Sequence, residues 1–319
     1  MPEGTLPEMN YLAPTKFQDP MVTAKGEERA VVALTHLRTL WFNTGSLCNI
    51  TCANCYMESS PKNDALAYLS LADVTRYLDE IADQGYAVEE IAFTGGEPFM
   101  NPDMLAMLEQ VLARGFKALV LTNAMKPMRH KRHGLSKLQS QFGAQLSLRV
   151  SMDHYTQTRH ETERGPGSWA PMLEGLRWLS KSGFSLAVAG RTCWDEDQES
   201  ARNGYAHLFQ SENIAIDVNA PGQLVLFPEM DGKLDVPEIT VSCWEILGVA
   251  PETMMCASSR MIVKRKGAAS PVVVPCTLLP YDPAFEMGED LALSPKKVHL
   301  NHPHCAKFCV LGGASCSPD

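Results

Sequence analysis

The chain has 319 residues, a formal net charge of −9 and 45% hydrophobic against 20% charged residues. A chain of this mass buries about three-quarters of the surface its unfolded form exposes, so it needs no disulfide framework, and its composition is not that of a disordered segment. The acidic balance argues against phosphate-backbone binding, no apolar run approaches the roughly 20 residues of a membrane helix, and the first twenty residues lack the basic start and apolar stretch of a signal peptide.

Residues 38–43 (RTLWFN) read as a strand. Residues 70–84 read as a helix, with Ser70 and Asp73 spaced as a capping box. Val74, Tyr77, Leu78 and Ile81 lie on its apolar face, and Gly85 stops it. EEIAFT (89–94) is the second strand. Asn101 is placed to cap the next helix, with Pro102 in its first turn, as far as Gly115. KALVLT (117–122) is the third strand, followed by a weaker helix at 135–142. QLSLRVS (145–151) is the fourth strand, 169–182 a helix, SLAVAGR (185–191) the fifth strand, 201–210 a helix and IAIDV (214–218) the sixth strand.

Six βα units in succession imply a parallel sheet with right-handed crossovers. The expected fold is α/β, a partial (β/α)6 TIM-like barrel over residues 37–218, open because it has fewer than eight units. An N-terminal extension (1–36) precedes it. A Gly-, Pro- and Asp-rich linker (219–241), read with one short strand at LVLF, leads to a small cysteine-rich α+β extension (242–319). Sites in such barrels lie at the C-terminal ends of the strands.

Ten cysteines without an export signal point to metal ligands or catalysts rather than disulfides. Cys48, Cys52 and Cys55 fall in the loop after the first strand, spaced C-x3-C-x2-C. Three thiolates on one loop suit three irons of a [4Fe–4S] cube, leaving the fourth iron open to a cofactor. A zinc site is the competing reading, but zinc sites usually show four ligands in two knuckles. After the second strand stands Thr94-Gly95-Gly96-Glu97-Pro98. Its glycines allow close backbone approach to a ligand, and Glu97 offers a carboxylate to an ammonium group.

The cysteine loop and the GGE motif, in this order, resemble the radical S-adenosylmethionine superfamily. The resemblance implies that Cys48, Cys52 and Cys55 hold the cluster, and that Gly95, Gly96 and Glu97 receive the ammonium of S-adenosylmethionine. It places Ser151 and Asp153 at the ribose, Asn123 where a TNG element often stands, and Arg164 or Arg191 at the cofactor's carboxylate. The family commonly has an aromatic residue before the third cysteine, and here it is Asn54.

In the tail, Cys256-x19-Cys276 brackets a strand–turn–strand pattern, followed by Cys305-x3-Cys309-x6-Cys316. This is similar to the SPASM and Twitch extensions of that superfamily, and implies one auxiliary [4Fe–4S] cluster. The ligand set is Cys256, Cys276, Cys305 and Cys309, with Cys316 able to replace one of them. Cys193 and Cys243 read as structural, although Cys193 follows the fifth strand and is a candidate hydrogen donor to a substrate radical. His130-Lys131-Arg132-His133 reads as a solvated helix start able to attract an anion.

The implied activity is that of an oxidoreductase. It cleaves S-adenosylmethionine reductively, abstracts a hydrogen atom from a small-molecule or natural-product substrate, and passes an electron to the auxiliary cluster or binds substrate there. A peptide-modifying enzyme is the alternative, weakened by the absence of a precursor-recognition domain before the first strand. An iron–sulfur electron carrier is the non-enzymatic alternative, and it leaves the GGE motif unused. The expected partner is a reductant such as flavodoxin or ferredoxin, with no nucleic acid or membrane partner and a cytoplasmic location.

Overall fold

The computed structural model describes residues 11–228, 233–294 and 296–313. In chain order, a short strand β1 (Val31–Ala33) precedes β2 (Thr39–Asn43), α1 (Leu71–Gln84), β3 (Glu90–Thr94), α2 (Met104–Ala113) and β4 (Lys117–Thr122). Then come α3 (Lys126–His130), α4 (Arg132–Phe142), β5 (Leu146–Ser151), α5 (Gln157–Arg164), α6 (Trp169–Lys181), β6 (Ser185–Arg191), α7 (Gln198–Ser211) and β7 (Leu224–Phe227). The tail adds α8 (Cys243–Leu247), β8 (Ser259–Val263), β9 (Val272–Val274) and β10 (Lys297–His299). No helix among the described residues is long and apolar enough to cross a membrane.

The main sheet has eight strands in the order β7-β6-β5-β4-β3-β2-β8-β9. Every neighbouring pair is parallel except β8 and β9. The run from β2 to β7 in sequence order is the expected partial barrel. Its first helix is closed as the sequence implies, by the reciprocal Ser70–Asp73 capping box and by Gly85 in the left-handed conformation at φ 67°.

Three expectations are corrected. Residues 214–218 form no strand. Ile214 and Val218 pack with the outer core, and the sixth barrel strand is β7, the short LVLF run read as part of the linker. Both stretches are short apolar runs, which periodicity alone does not separate. Pairing of Val188–Arg191 with Leu224–Phe227 decides between them. The second helix begins at Met104, and Asn101 stands just before it: its Oδ1 accepts from Asp103 N at 2.9 Å while its Nδ2 donates to Thr44 O at 3.2 Å and Leu69 O at 2.8 Å. The third correction concerns the tail. β8 pairs in parallel with β2, so the segment joins the barrel's own sheet.

Side chains alternate across the pleat. Leu40, Phe42, Ile91, Phe93, Val120 and Val150 face the helices. Trp41, Ala92, Leu119 and Met261 face the other way, into a second core built with Met254, Leu278, Leu300 and Phe308 of the tail. The tail therefore packs on the sheet's inner face and shares its core. β1 of the N-terminal segment pairs antiparallel with β10 of the tail.

Candidate functional site

One cavity opens where the barrel strands end. Thr94, Thr122, Ser151, Arg191 and Phe227, each the last residue of its strand, line it. Cys48, Cys52 and Cys55 line the same cavity, as do Gly95, Gly96, Asn123, Asp153 and Arg164. Thr277 and Leu278 contribute a wall from the tail.

The cysteine loop is clamped from two sides. On one side Gly96 N donates to Gly45 O at 2.8 Å and Glu97 N to Leu47 O at 3.1 Å. A Cβ on Gly96 would stand 2.0 Å from Leu47 O, and one on Gly95 2.5 Å from Gly45 O. The Gly-Gly pair thus lets the β3 loop lie against the cysteine loop. The expected backbone approach to a ligand is joined by a tighter approach to chain. On the other side Ala53 N donates to Glu163 O at 2.7 Å, and Asn54 Nδ2 donates to the Glu163 carboxylate at 3.1 Å. This explains the departure at Asn54: its amide anchors the loop to α5. Glu163 was missed by sequence reasoning, because the partners lie 109 residues apart.

Among the described residues no disulfide is present. No three His, Cys, Asp or Glu side chains among them converge on a point that one ion would occupy. Three thiols lining one cavity suit a cluster, in which each meets a different iron. Burial pushes the Cys48 thiol up to about 12 and raises Cys52, whose charge Arg164 favours. Asn123 Nδ2 is 3.9 Å from Cys48 Sγ.

The buried Arg191 and the largely buried Arg164 flank Asp153. Arg164 Nε is 2.9 Å from Asp153 Oδ2, and Arg191 Nε is 3.4 Å from Oδ1. Burial alone would raise the Asp153 carboxyl, but the two guanidiniums outweigh it and hold it below the usual carboxylate value. Arg191 also reaches Glu163 at 3.7 Å, donates to Asn54 O and lies over the Tyr56 ring at 4.6 Å. Tyr56, two residues after Asn54, lines the cavity.

Glu97 is buried and is not among the residues that line the cavity. Its carboxylate accepts from Thr122 Oγ1 at 2.8 Å, Asn123 N at 2.8 Å and Phe99 N at 3.2 Å. Burial pushes it up to about 7 against these donors. Cys193 is also absent from the lining. The hydrogen-donor expectation for Cys193 has no support in this placement.

His160, buried behind Arg164, has no hydrogen-bond partner for either ring nitrogen among the described residues. Burial and then the Arg164 charge push it down to about 4. A base whose folded pKa lies below its unfolded value favours folding above pH 6.5 and loses that contribution as pH falls toward 4. The chain is expected to lose about 3 kcal/mol from this group over that window. His160→Gln should flatten the loss, read as urea midpoints at pH 7 and pH 4.5.

A second, apolar cavity lies in the tail, lined by Cys256, Cys276, Cys305 and Cys309 with Met254, Met255 and Leu278. Burial pushes Cys256 up to about 11 and Cys305 up to about 12. Cys316 lies outside the described residues. Cys243 is held structurally, its sulfur 3.3 Å from both Thr240 N and Oγ1.

Residues 42–196 match the family model of the Radical SAM superfamily. The chain is 34% identical over 143 residues to the antilisterial bacteriocin subtilosin biosynthesis protein AlbA of Bacillus subtilis, covering 44% of this chain and 30% of that one. It is 28% identical over 139 residues to the GTP 3′,8-cyclase of Tolumonas auensis, covering 43% and 39%. The chain thus spans less than half the length of these curated relatives. Among solved structures it is similar in fold to Streptococcus suis SuiB bound to S-adenosylmethionine, with a TM-score of 0.59 at 11% identity over 81% of this chain and 65% of that one. SuiB bound to precursor peptide SuiA gives 0.58 at 11% identity, over 83% and 64%.

Proposed function

On the premise that the barrel of this chain is a radical SAM superfamily domain, we propose that Cys48, Cys52 and Cys55 hold a [4Fe–4S] cluster and that the adjoining cavity takes S-adenosylmethionine. The observation that carries this is the convergence of three thiols, the Gly-Gly turn and two buried guanidiniums on one cavity at the strand ends. The chemistry these groups supply when bound is reductive cleavage to methionine and a 5′-deoxyadenosyl radical, which takes a hydrogen atom from an unreactive C–H bond.

The chain's own residues bind, orient and exclude water. Gly95 and Gly96 offer backbone to the amino-acid end of the cofactor. Arg164 and Arg191, with Asp153 between them, offer charge to its carboxylate. Ser151 and Asn123 offer polar contacts from their strand ends. Leu121, Ala189 and Phe227 form an apolar wall. Glu97 acts behind this surface, holding the β3 loop to the start of the β4 loop.

The tail thiols Cys256, Cys276, Cys305 and Cys309 are the proposed ligands of an auxiliary cluster. Leu278 lines both cavities. That shared wall supports an oxidoreductase in which the substrate's remaining electron passes to the second site. The substrate is a small molecule or a peptide, and similarity to a bacteriocin biosynthesis protein favours the peptide.

Anaerobic reconstitution, an iron count and reduction with dithionite test this reading. About eight irons per chain and formation of 5′-deoxyadenosine are expected. No 5′-deoxyadenosine above a Cys48/Cys52/Cys55→Ala control would overturn it. Cys256→Ala with Cys276→Ala is expected to leave about four irons and to keep 5′-deoxyadenosine formation. An unchanged iron count in that variant would sink the auxiliary site.

A further inference from the structure

Radical formation requires one electron per cleavage, and the site described above assigns no residue to its entry. A charged patch stands beside the cluster loop. Residues 126–137 (KPMRHKRHGLSK) hold five of the chain's 28 lysines and arginines, with two histidines and no acid, in a chain of net charge −9. Lys126, His130, His133 and Lys137 are exposed, and Lys131 is half-buried. Arg129 and Arg132 are braced on α6, both meeting Glu174 at 2.7 and 3.5 Å, with Arg132 over the Trp178 ring. Lys126, Lys131 and Lys137 have no ion-pair partner among the described residues.

The patch is joined to the first cysteine by a short chain of polar contacts. Asn123 Nδ2 lies 3.9 Å from Cys48 Sγ and donates to Asn49 Oδ1 at 2.8 Å. Met125 N donates to Asn123 Oδ1 at 3.0 Å, and Asn49 Nδ2 is 3.9 Å from Met125 Sδ. Lys126 follows directly and opens α3. None of the residues from 126 to 137 lines the cavity.

We propose that residues 126–137 are the docking surface for an acidic one-electron carrier protein that reduces the cluster held by Cys48, Cys52 and Cys55. The proposal rests on the function inferred above. An acidic carrier is repelled by the chain's net charge and attracted to this patch, so the field both speeds the encounter and selects the face beside the cluster. In the transfer the carrier is oxidised by one electron and the cluster reduced by one, with no bond or proton moved.

The test uses the reconstituted full chain, with reduced flavodoxin as the probe and dithionite as a carrier-independent reductant. Cluster reduction is followed by stopped-flow absorbance. Lys126→Glu with Lys131→Glu is expected to slow reduction by flavodoxin about tenfold to a hundredfold at low salt. Added salt should slow the wild type and bring it toward the variant. With dithionite, the variant should form as much 5′-deoxyadenosine as the wild type. An unchanged flavodoxin rate in the variant, or a wild-type rate indifferent to salt, overturns the docking surface alone. Absence of 5′-deoxyadenosine from dithionite-reduced wild type overturns the functional reading and this proposal with it.

Discussion

Gly96→Ala is expected to empty the first cysteine site while leaving all three thiols in the sequence. Gly96 does not have a positive φ, so its role is space rather than backbone freedom. A Cβ there would lie 2.0 Å from Leu47 O, 2.5 Å from Leu47 C and 2.9 Å from Ser46 O. All three are backbone atoms immediately before Cys48, so no side chain can rotate away. The chain on one side must move, and with it go the hydrogen bonds from Gly96 N to Gly45 O and Glu97 N to Leu47 O. Misplacement of reacting groups by about 1 Å costs on the order of a hundredfold in rate. Loss of the iron of this site and at least that fall in 5′-deoxyadenosine formation are expected. The iron count and product yield check it, with circular dichroism to show that the barrel persists. A variant with full iron and activity within threefold of wild type would show that the clamp does not hold the loop.

Asp153→Ala should be the most destabilising single change at the site. Asp153 lies between Arg164 and Arg191, and all three side chains are largely buried. Removing the carboxylate leaves two buried guanidiniums, of which Arg191 keeps Glu163 at 3.7 Å and Arg164 loses its ion-pair partner. Breaking a buried pair in this way costs about 3–5 kcal/mol. The urea midpoint should fall with the slope unchanged. Adding Arg164→Met should recover part of the loss, since an apolar side chain carries no desolvated charge. A cost below about 1 kcal/mol for Asp153→Ala would mean that water already solvates the pair.

Much of the barrel was legible because its signals are local. The Ser70–Asp73 capping box and the Gly85 stop act within one helix, and both are formed. Strands β2 to β6 are short apolar runs with turn signals on either side. The cysteine triplet and the Gly-Gly turn each sit directly after a strand, so the rule that barrel sites gather at strand ends brings them to one cavity.

What the amino-acid sequence by itself determined is therefore the element order, the strand ends that carry chemistry, and the residue types placed there. What only the tertiary structure decided depends on contacts between distant segments. The choice of 224–227 over 214–218 as the last barrel strand was made by pairing with β6. Asn54 acquired its meaning from Glu163, and Glu97 was drawn toward Thr122 and Asn123 and away from the cavity lining. The tail joined the sheet beside β2 and shared its inner core, so that Leu278 came to stand between two sites. Spacing along a chain records which groups are near in sequence. Burial and hydrogen bonding across the fold decide which way each group faces, and those depend on partners that local pattern does not name.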